Sequence, residues 1–347
     1  MVFPSRASSE DGLPPIEIAT AGEALMDLIA RPDGLLDPRD GGAVYNLSRA
    51  LGLQGIGTLY LNPLSADLFG RGLGRGLAAA GVQHAAPVPV HEPTSLAVVG
   101  LDAQGKAAYS FYREGVADRQ VNDRQLDTAC AAHPGLRTVA TGCLALDARD
   151  QAKYLPWLRS QRAAGRFVVV GANLRPAVVP GMDAYRASVM AALEQADLVK
   201  VSDDDLQLLG FVQLDPVAAA RALLDRLPQA RWLALTLGPR GAVLLGEDGL
   251  ALAARESVPV PVADTVGAGD CFLAGLLAAL LRLPSVQSSR DAQELHASAG
   301  DLRGVLAHAV ASASLCVMQT GCAPPTREEV AERLAATPPW TGLAGER

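Results

Sequence analysis

A short glycine-rich segment with acids at both ends, Asp264–Asp270, stands directly before a long apolar stretch. Apolar residues then recur at helical spacing from Leu273 to Leu281, which predicts a turn that opens a buried helix. The free N–H groups and the positive dipole end of such a turn bind anions. A carboxylate at Asp270 would repel an anion, so its better role is to accept a proton from a group that attacks it. The segment therefore indicates phosphoryl transfer to a hydroxyl.

The same segment has a simpler interpretation, in which Asp270 only stabilises the first turn of the helix, as acids commonly do. The two glycines around Ala268, preceded by Asp264 and Thr265, favour the catalytic interpretation.

Two polar side chains near the N terminus are candidates for binding hydroxyl groups. Asp27 follows an early predicted strand, and Asn46 follows a Gly-Gly turn. A carboxylate and an amide near strand ends can hold neighbouring hydroxyls of a polyol. Taken alone, Asn46 is better explained as a helix cap or a solvated helix residue.

Three further segments have roles that depend on their neighbours. The acid run Ser202–Asp205 is typical of a solvated helix start, and it is also suited to hold Mg²⁺ through water. Taken alone, residues Thr236–Gly241 are only a β-turn, but next to an anion hole they become a candidate phosphate loop. Residues Gly100–Lys106 nearly match a P-loop, but Ala107 replaces the required hydroxyl and a strand follows. We interpret this last segment as a hairpin turn.

The elements that must position these residues alternate between strand and helix. Strands are predicted at residues 16–21, 58–61, 137–141, 166–170, 198–201 and 232–237, with helices in between. Strands at 95–101 and 107–113 form a hairpin closed by residues 102–105. Residues 285–300 are predicted to be a polar surface insertion. The alternation predicts an α/β fold with a mostly parallel sheet and helices on both faces.

Composition excludes several classes of protein. The chain of 347 residues is 49% hydrophobic and 19% charged, which is ordinary for a globular protein. A net charge of −7 without a basic cluster argues against a nucleic-acid surface. No apolar run is long enough to span a membrane. Five scattered cysteines without a CxxC pair indicate neither a disulfide framework nor a zinc site, and they fit a reducing cytoplasm. Residues 1–15 are expected to be a disordered leader.

Together these motifs resemble the ribokinase-like (PfkB) family of carbohydrate kinases along nearly the whole chain, from Glu17 to Val330. The resemblance is carried by the blocks Gly41–Asn46, Asp67–Gly70, Asp264–Asp270 and Ala274-Gly275. Within the family the chain is most similar to fructokinases, through Gly22–Asp27 and Phe111–Asp118.

The resemblance implies a ribokinase-like three-layer α/β sandwich with a mostly parallel central sheet. It implies one kinase domain over residues 16–340. A small β-sheet lid, built from segments within about 16–45 and 90–120, is expected to cover the sugar site.

The resemblance also implies site residues. The catalytic positions are Asp270 as base and Gly267, Ala268 and Gly269 as anion hole. The sugar-binding positions are Asp27, Gly42, Asn46 and Arg113. The nucleotide-binding positions are Thr236, Gly238 and Gly241, with Ala311 and Leu315 on a wall of the adenine site. The metal positions are Asp205, for Mg²⁺ through water, and Asp264, for a monovalent cation such as K⁺. The expected partners are ATP, a small sugar and a second copy of the chain joined through the lid.

Three departures from the family pattern bear on these expectations. The Asn-x-x-Glu motif, which is tied to Mg²⁺ and phosphate, is here Ser202-x-x-Asp205, with a shorter acid. Gly171 stands where an Asp is expected before the Asn-x-Arg stretch that ends at Arg175, and Asn62–Ala66 replaces a glycine-rich turn. The first departure concerns the metal, and the other two concern the acceptor sugar.

The function that follows is transfer of the γ-phosphoryl group of ATP to a primary hydroxyl of a small sugar, with fructose as the expected acceptor. One alternative keeps the chemistry and changes the acceptor to 2-keto-3-deoxygluconate, whose carboxylate Tyr112 and Arg113 would bind. Another ribokinase-like sugar or nucleoside kinase activity is a variant of the same alternative. An alternative from another class is a non-catalytic sugar- or nucleotide-binding protein, which the altered Ser202–Asp205 motif favours.

Overall fold

The computed structural model describes residues 13–31, 33–101, 107–179, 181–288, 295 and 297–345. The strands in this part of the chain are β1 (Ile18–Ala21), β2 (Leu25–Ala30), β3 (Leu36–Gly41), β4 (Thr58–Tyr60), β5 (Gln83–His84), β6 (Ser95–Leu101), β7 (Ala107–Tyr112), β8 (Thr138–Gly142), β9 (Phe167–Gly171), β10 (Leu198–Ser202), β11 (Trp232–Thr236), β12 (Ala242–Gly246), β13 (Ala251–Arg255) and β14 (Trp340–Leu343).

The α-helices in the same residues are α1 (Ala43–Leu53), α2 (Leu68–Ala79), α3 (Asp123–Ala131), α4 (Gln151–Ala163), α5 (Met182–Leu193), α6 (Asp203–Leu208), α7 (Pro216–Leu224), α8 (Ala268–Leu281), α9 (Pro284–Ser288), α10 (Ala299–Val317) and α11 (Arg327–Ala336). Among the described helices none is long and apolar enough to cross a membrane.

The main sheet has ten strands in the order β14-β13-β12-β11-β10-β9-β8-β1-β4-β5. Neighbours from β11 to β5 run parallel, and β12, β13 and β14 add an antiparallel edge. Strand β9 is buried along its whole length, with Phe167 and Val169 in one apolar cluster and Val168 and Val170 in another. Alternate residues of one strand therefore pack under helices on opposite faces, which confirms the three-layer α/β prediction.

A second sheet of four strands, in the order β3-β2-β6-β7, stands apart from the main sheet. Its outer pairs are antiparallel, whereas β2 and β6 run parallel. Strand β2 begins buried at Leu25 and Met26 and ends exposed at Ile29 and Ala30, so the sheet projects from the body. It corresponds to the small sheet that the resemblance implied.

Some expectations lie outside the described residues, and some elements differ from the prediction. The hairpin turn at 102–105 and most of the expected leader fall outside, as do residues 289–294 of the expected insertion. The insertion begins with helix α9, which extends from Pro284. Strands β13 and β14 were not predicted, since Ala251–Arg255 is alanine-rich and its strand conformation depends on pairing with both neighbours.

Candidate active site

The glycine-rich segment forms the turn that opens helix α8. Gly267 is the N-cap and adopts a left-handed conformation with φ of 77°, which favours glycine. A side chain at this position would also overlap the Cys322 sulfur. The helix that follows is buried through most of its length between α1 and α10, so its first turn is held rigidly. We call Thr265–Asp270 the anion turn, because its leading N–H groups have no partner within the helix.

Asp270 lies in the first turn of α8 and faces a buried amide. The Asn46 Nδ2 atom donates a hydrogen bond to Asp270 Oδ2 at 3.0 Å. Burial raises the pKa of Asp270 from 3.8 to about 6, and the Asn46 hydrogen bond and the charges of Lys200 and Arg175 oppose that rise. A carboxylate with this pKa is mostly ionised at neutral pH and still able to hold a proton, which suits a general base.

A cavity of about 320 Å³ extends from the anion turn to the small sheet. Gly267, Gly269 and Asp270 line one end of it, and Asp27 and Ile29 of strand β2 line the other. Further lining residues come from the start of α1 and from loops at the strand ends, namely Gly42, Asn46, Asn173, Arg175 and Asp264. The predicted proton acceptor therefore shares one chamber with the predicted hydroxyl-binding residues.

The end of the cavity next to the small sheet combines a carboxylate with a backbone segment that lies close to the cavity. Burial raises the pKa of Asp27 from 3.8 to about 6, and the Arg175 charge opposes the rise. Gly42 is the N-cap of α1 with φ of 105°, and any side chain there would press on the Glu23 carbonyl at 2.7 Å. The Glu23 Oε1 atom accepts a hydrogen bond from the Ala43 N–H at 2.8 Å, which fixes the start of α1.

The predicted sugar ligand Arg113 does not line this cavity. Its side chain is 5% exposed, and its charge faces the buried carboxylates of Glu23 and Asp118. Burial raises the pKa of Glu23 to about 7, with Arg113 opposing the rise. Arg113 thus supports the wall behind the cavity, and the arginines that do line the cavity are Arg39 and Arg175.

The predicted nucleotide-binding residues lie on neighbouring elements outside the cavity. Thr236 ends strand β11 next to Ser202 of β10, and its hydroxyl donates to the Val201 carbonyl at 3.4 Å. Gly238 and Gly241 form the β11–β12 turn with φ of 57° and 90°. Ala311 and Leu315 lie one turn apart on α10, which packs against β12 and β13. Turn and helix therefore flank the same edge of the main sheet.

The two predicted metal positions both hold backbone groups. Asp205 is 3% exposed; its Oδ1 accepts from the Leu174 N–H at 2.7 Å and its Oδ2 from the Ser202 N–H at 2.8 Å. This carboxylate caps α6 and anchors the loop that carries Arg175. Asp264 accepts from the N–H groups of Val266 and Gly321 at 3.1 and 2.8 Å, so it joins the anion turn to the loop after α10.

Sequence reasoning missed two cations of the site. Lys200 lies in the otherwise apolar strand β10, and its Nζ would be 3.1 Å from a β-carbon placed on Gly269. A single lysine inside a buried strand was the available signal. Arg175 follows strand β9 in the stretch that also departs from the family pattern. Asn173 before it has a positive φ of 42°, which asparagine tolerates and which turns the chain toward the cavity.

Known proteins are similar to this chain in sequence. The profile of the pfkB family carbohydrate kinases matches residues 16–329. A fructokinase of Rhizobium leguminosarum bv. trifolii is 32% identical over 271 residues, which cover 76% of this chain and 79% of that protein.

Solved structures share the fold along almost the whole chain. The fructokinase of Xylella fastidiosa with bound ATP has a TM-score of 0.78 at 25% identity and covers 92% of this chain and 98% of its own. A double mutant of the Vibrio cholerae O395 fructokinase, with fructose, ADP and a potassium ion bound, has a TM-score of 0.73 at 22% identity with the same coverage.

Proposed function

Because the chain belongs to the pfkB family of carbohydrate kinases, we propose that it transfers the γ-phosphoryl group of ATP to a primary hydroxyl of fructose. The observation that supports this most strongly is the position of Asp270, which stands at the head of α8 in one cavity with Asp27 and Asn46. The similarity to fructokinases, one of which has ATP bound, supports both the donor and the acceptor.

In this mechanism Asp270 accepts the proton of the attacking hydroxyl. The pKa of about 6 leaves most of the enzyme with an ionised Asp270 at pH 7. The Asn46 amide, at 3.0 Å, keeps the carboxylate oriented toward the cavity. The hydroxyl becomes nucleophilic as its proton moves to Asp270, and the oxygen attacks the γ-phosphorus in line with the leaving ADP oxygen.

Charge on the transferred phosphoryl oxygens meets the N–H groups of the anion turn. A preorganised backbone donor of this kind contributes on the order of 3 kcal/mol to the transition state. Lys200 adds a positive charge next to Gly269, with its Nζ 3.1 Å from where a β-carbon on Gly269 would stand.

The acceptor sugar is proposed to lie between the small sheet and the anion turn. Asn46 is 4% exposed, and its Oδ1 has no hydrogen-bond partner among the described residues, so it can accept from a sugar hydroxyl. Asp27 would hold neighbouring hydroxyls, and Gly42 leaves space for the sugar to approach the backbone. The small sheet acts as the lid that excludes water.

The nucleotide is proposed to lie along Thr236, Gly238 and Gly241 with its base against Ala311 and Leu315. When bound, Mg²⁺ would neutralise charge on the ATP phosphates. Both Asp205 oxygens already accept backbone N–H bonds, so we propose that this residue acts on the ion through water. We further propose that K⁺ binds near Asp264. The proposed location of the kinase is the cytoplasm.

We also propose that two copies of the chain pair through their small sheets. Large apolar side chains on this sheet are exposed, with Leu36 at 49% and Tyr112 at 60%. Burial of such side chains against a second copy would stabilise a dimer. Sedimentation should give twice the chain mass, and Tyr112→Asp should shift it toward the monomer. A wild-type monomer at micromolar concentration would contradict this proposal.

The function is tested with a panel of sugars and detection of released ADP, with and without K⁺. We expect the highest kcat/KM with fructose. Asp270→Asn should bind fructose and ATP but lose turnover by a factor of about 10³ or more, as removal of a general base does. Wild-type turnover in this variant would exclude Asp270 as the base. Binding of both ligands without ADP release from any acceptor would favour a non-catalytic binding protein.

A second acceptor is favoured by one observation. Arg175 places a guanidinium in the cavity wall, and guanidinium groups bind carboxylates. A keto sugar acid such as 2-keto-3-deoxygluconate therefore belongs in the panel. If Arg175→Met lowers kcat/KM for the sugar acid much more than for fructose, the carboxylate is recognised by Arg175.

A further inference from the structure

Three cysteines that are scattered in the sequence meet beside the anion turn. The sulfurs of Cys271, Cys316 and Cys322 all lie within 4.8 Å of one another. Cys271 and Cys316 are buried, whereas Cys322 is partly exposed and lines the cavity. The proposed phosphoryl transfer needs no thiol, so this cysteine cluster has no role in the mechanism described above.

Each member of the cysteine cluster is tied directly to the anion turn. Cys271 is the residue after Asp270 in the first turn of α8. The Cys316 thiol donates to the Val266 carbonyl at 3.6 Å. The Cys322 sulfur packs so closely on Gly267 that a β-carbon there would overlap it. Any ligand that draws the three sulfurs together would therefore also displace the backbone that binds the phosphoryl group.

The geometry fits a metal ion better than a disulfide. With zinc–sulfur bonds of about 2.3 Å in tetrahedral geometry, sulfur ligands stand about 3.8 Å apart, so a cluster whose sulfurs lie within 4.8 Å of one another would contract by up to about 1 Å. A disulfide would join two sulfurs and leave the third without a role, whereas here all three are mutual neighbours. Zinc with three protein ligands keeps a fourth position, and Cys322 directs that position toward the cavity.

The electrostatic surroundings also suit a cation. The carboxylates of Asp264 and Asp270 lie near Cys316 and Cys322 respectively, and their negative charges attract a metal ion. Thiolates select soft ions over Mg²⁺, so the cluster would not compete for the metal that accompanies ATP.

We propose that Cys271, Cys316 and Cys322 form a three-thiolate zinc site whose occupancy inhibits the kinase by pulling the anion turn out of its active geometry. Binding of the ion displaces the thiol protons to solvent, and no electron is transferred. The site adds a regulatory function to an active site whose chemistry does not require it.

Binding is tested first, without reference to activity. The reduced full-length protein is incubated with Zn²⁺, passed through a desalting column and analysed for metal, and we expect one Zn²⁺ per chain. Co²⁺ serves as a spectroscopic probe and should give a thiolate-to-cobalt charge-transfer band. Cys316→Ser and Cys322→Ser should each lower Zn²⁺ affinity at least tenfold. Cys130→Ala is the matched control, because Cys130 is buried in the opposite core cluster, and it should bind as wild type.

Inhibition is then measured on the desalted zinc-loaded enzyme, so that free Zn²⁺ does not sequester ATP. We expect turnover to fall at least tenfold and to return with a chelator, each variant being compared with its own metal-free rate. Absence of the cobalt band, or equal zinc retention in Cys322→Ser, would refute the site. Zinc binding without inhibition would refute the regulatory role.

Two further outcomes are distinguishable. The protein could lose two titratable thiols in air, recover them only with a reductant and retain no metal. That result would identify a disulfide and overturn the proposal. If no acceptor supports ADP release, the proposed function fails, whereas the metal analysis and the cobalt spectrum still decide whether the site exists.

Discussion

Replacement of Asn46 by leucine should move the acid limb of the kinase pH profile to higher pH. Leucine has the same branched arrangement of side-chain heavy atoms as asparagine but cannot donate the hydrogen bond that Asn46 Nδ2 makes to Asp270 Oδ2 at 3.0 Å. That bond favours the ionised carboxylate, so its loss favours the protonated form, which cannot accept a proton from the sugar. The active ionised form then appears only at higher pH.

The magnitude follows from the energy of the lost bond. A hydrogen bond to a charged group contributes about 1.5–3 kcal/mol, and about 1.4 kcal/mol corresponds to one pH unit, so the limb should rise by about one to two pH units. In the wild type, with a pKa of about 6, kcat/KM at pH 5 should be about one tenth of its plateau. In Asn46→Leu the same tenfold loss should already occur between about pH 6 and pH 7.

The measurement is kcat/KM for fructose from pH 4.5 to 9 at constant ionic strength, with ADP release as the readout. ATP ionises in the same range, so the residual activity of Asp270→Asn, which contains only the substrate ionisation, supplies the correction. Weaker sugar binding by itself would lower the plateau of kcat/KM without moving the midpoint of the acid limb, so the two effects of Asn46→Leu can be separated. An acid limb at the same pH in wild type and Asn46→Leu would refute the assignment of the limb to Asp270.

Two further predictions concern stability. Gly267→Ala should lose about 1–3 kcal/mol of unfolding free energy and most turnover, because Gly267 has a positive φ and faces the Cys322 sulfur. The control is Gly304→Ala, in an exposed and open position on α10, which should gain up to about 1 kcal/mol of unfolding free energy; both are measured by urea unfolding. Asp270→Asn should raise the unfolding free energy at pH 8 by about 1–3 kcal/mol, because the folded-state pKa of about 6 exceeds the ordinary 3.8 and ionisation of Asp270 therefore destabilises the folded state. In thermal unfolding this gain should vanish below about pH 4, where the carboxyl is protonated in both states. An equal gain at pH 3.5 would contradict the prediction.

The sequence was sufficient for the positions of the central strands but insufficient for the edge of the sheet. Strands such as β9 are continuous apolar runs between helices, which is what a parallel sheet covered on both faces requires. Strand β13 has the sequence Ala-Leu-Ala-Ala-Arg, whose intrinsic strand preference is low, and it becomes a strand because β12 and β14 pair with it on both sides. Pairing partners are tertiary information that the local pattern does not contain.

The same distinction separates the two arginines of the acceptor region. Arg113 directly follows strand β7, and the resemblance implied that it binds the sugar, but two buried carboxylates hold it in the wall behind the cavity. The pattern could not reveal that Glu23 and Asp118 would be its neighbours. Asp205 stays a predicted metal position, and the structure adds an anchor for the Leu174 N–H that the acid run did not indicate.

Arg175 then connects the two ends of the cavity. Burial raises the pKa of both Asp27 and Asp270 to about 6, and the Arg175 charge opposes the rise at both. A bound sugar displaces water and increases the desolvation of both carboxylates, which would favour their protonation. In the proposed mechanism the Arg175 guanidinium, whose loop is anchored by Asp205, counteracts that effect when Asp27 accepts hydrogen bonds from the sugar and Asp270 accepts a proton. Loss of this charge should therefore impair recognition and proton transfer together, although Arg175 itself takes no proton.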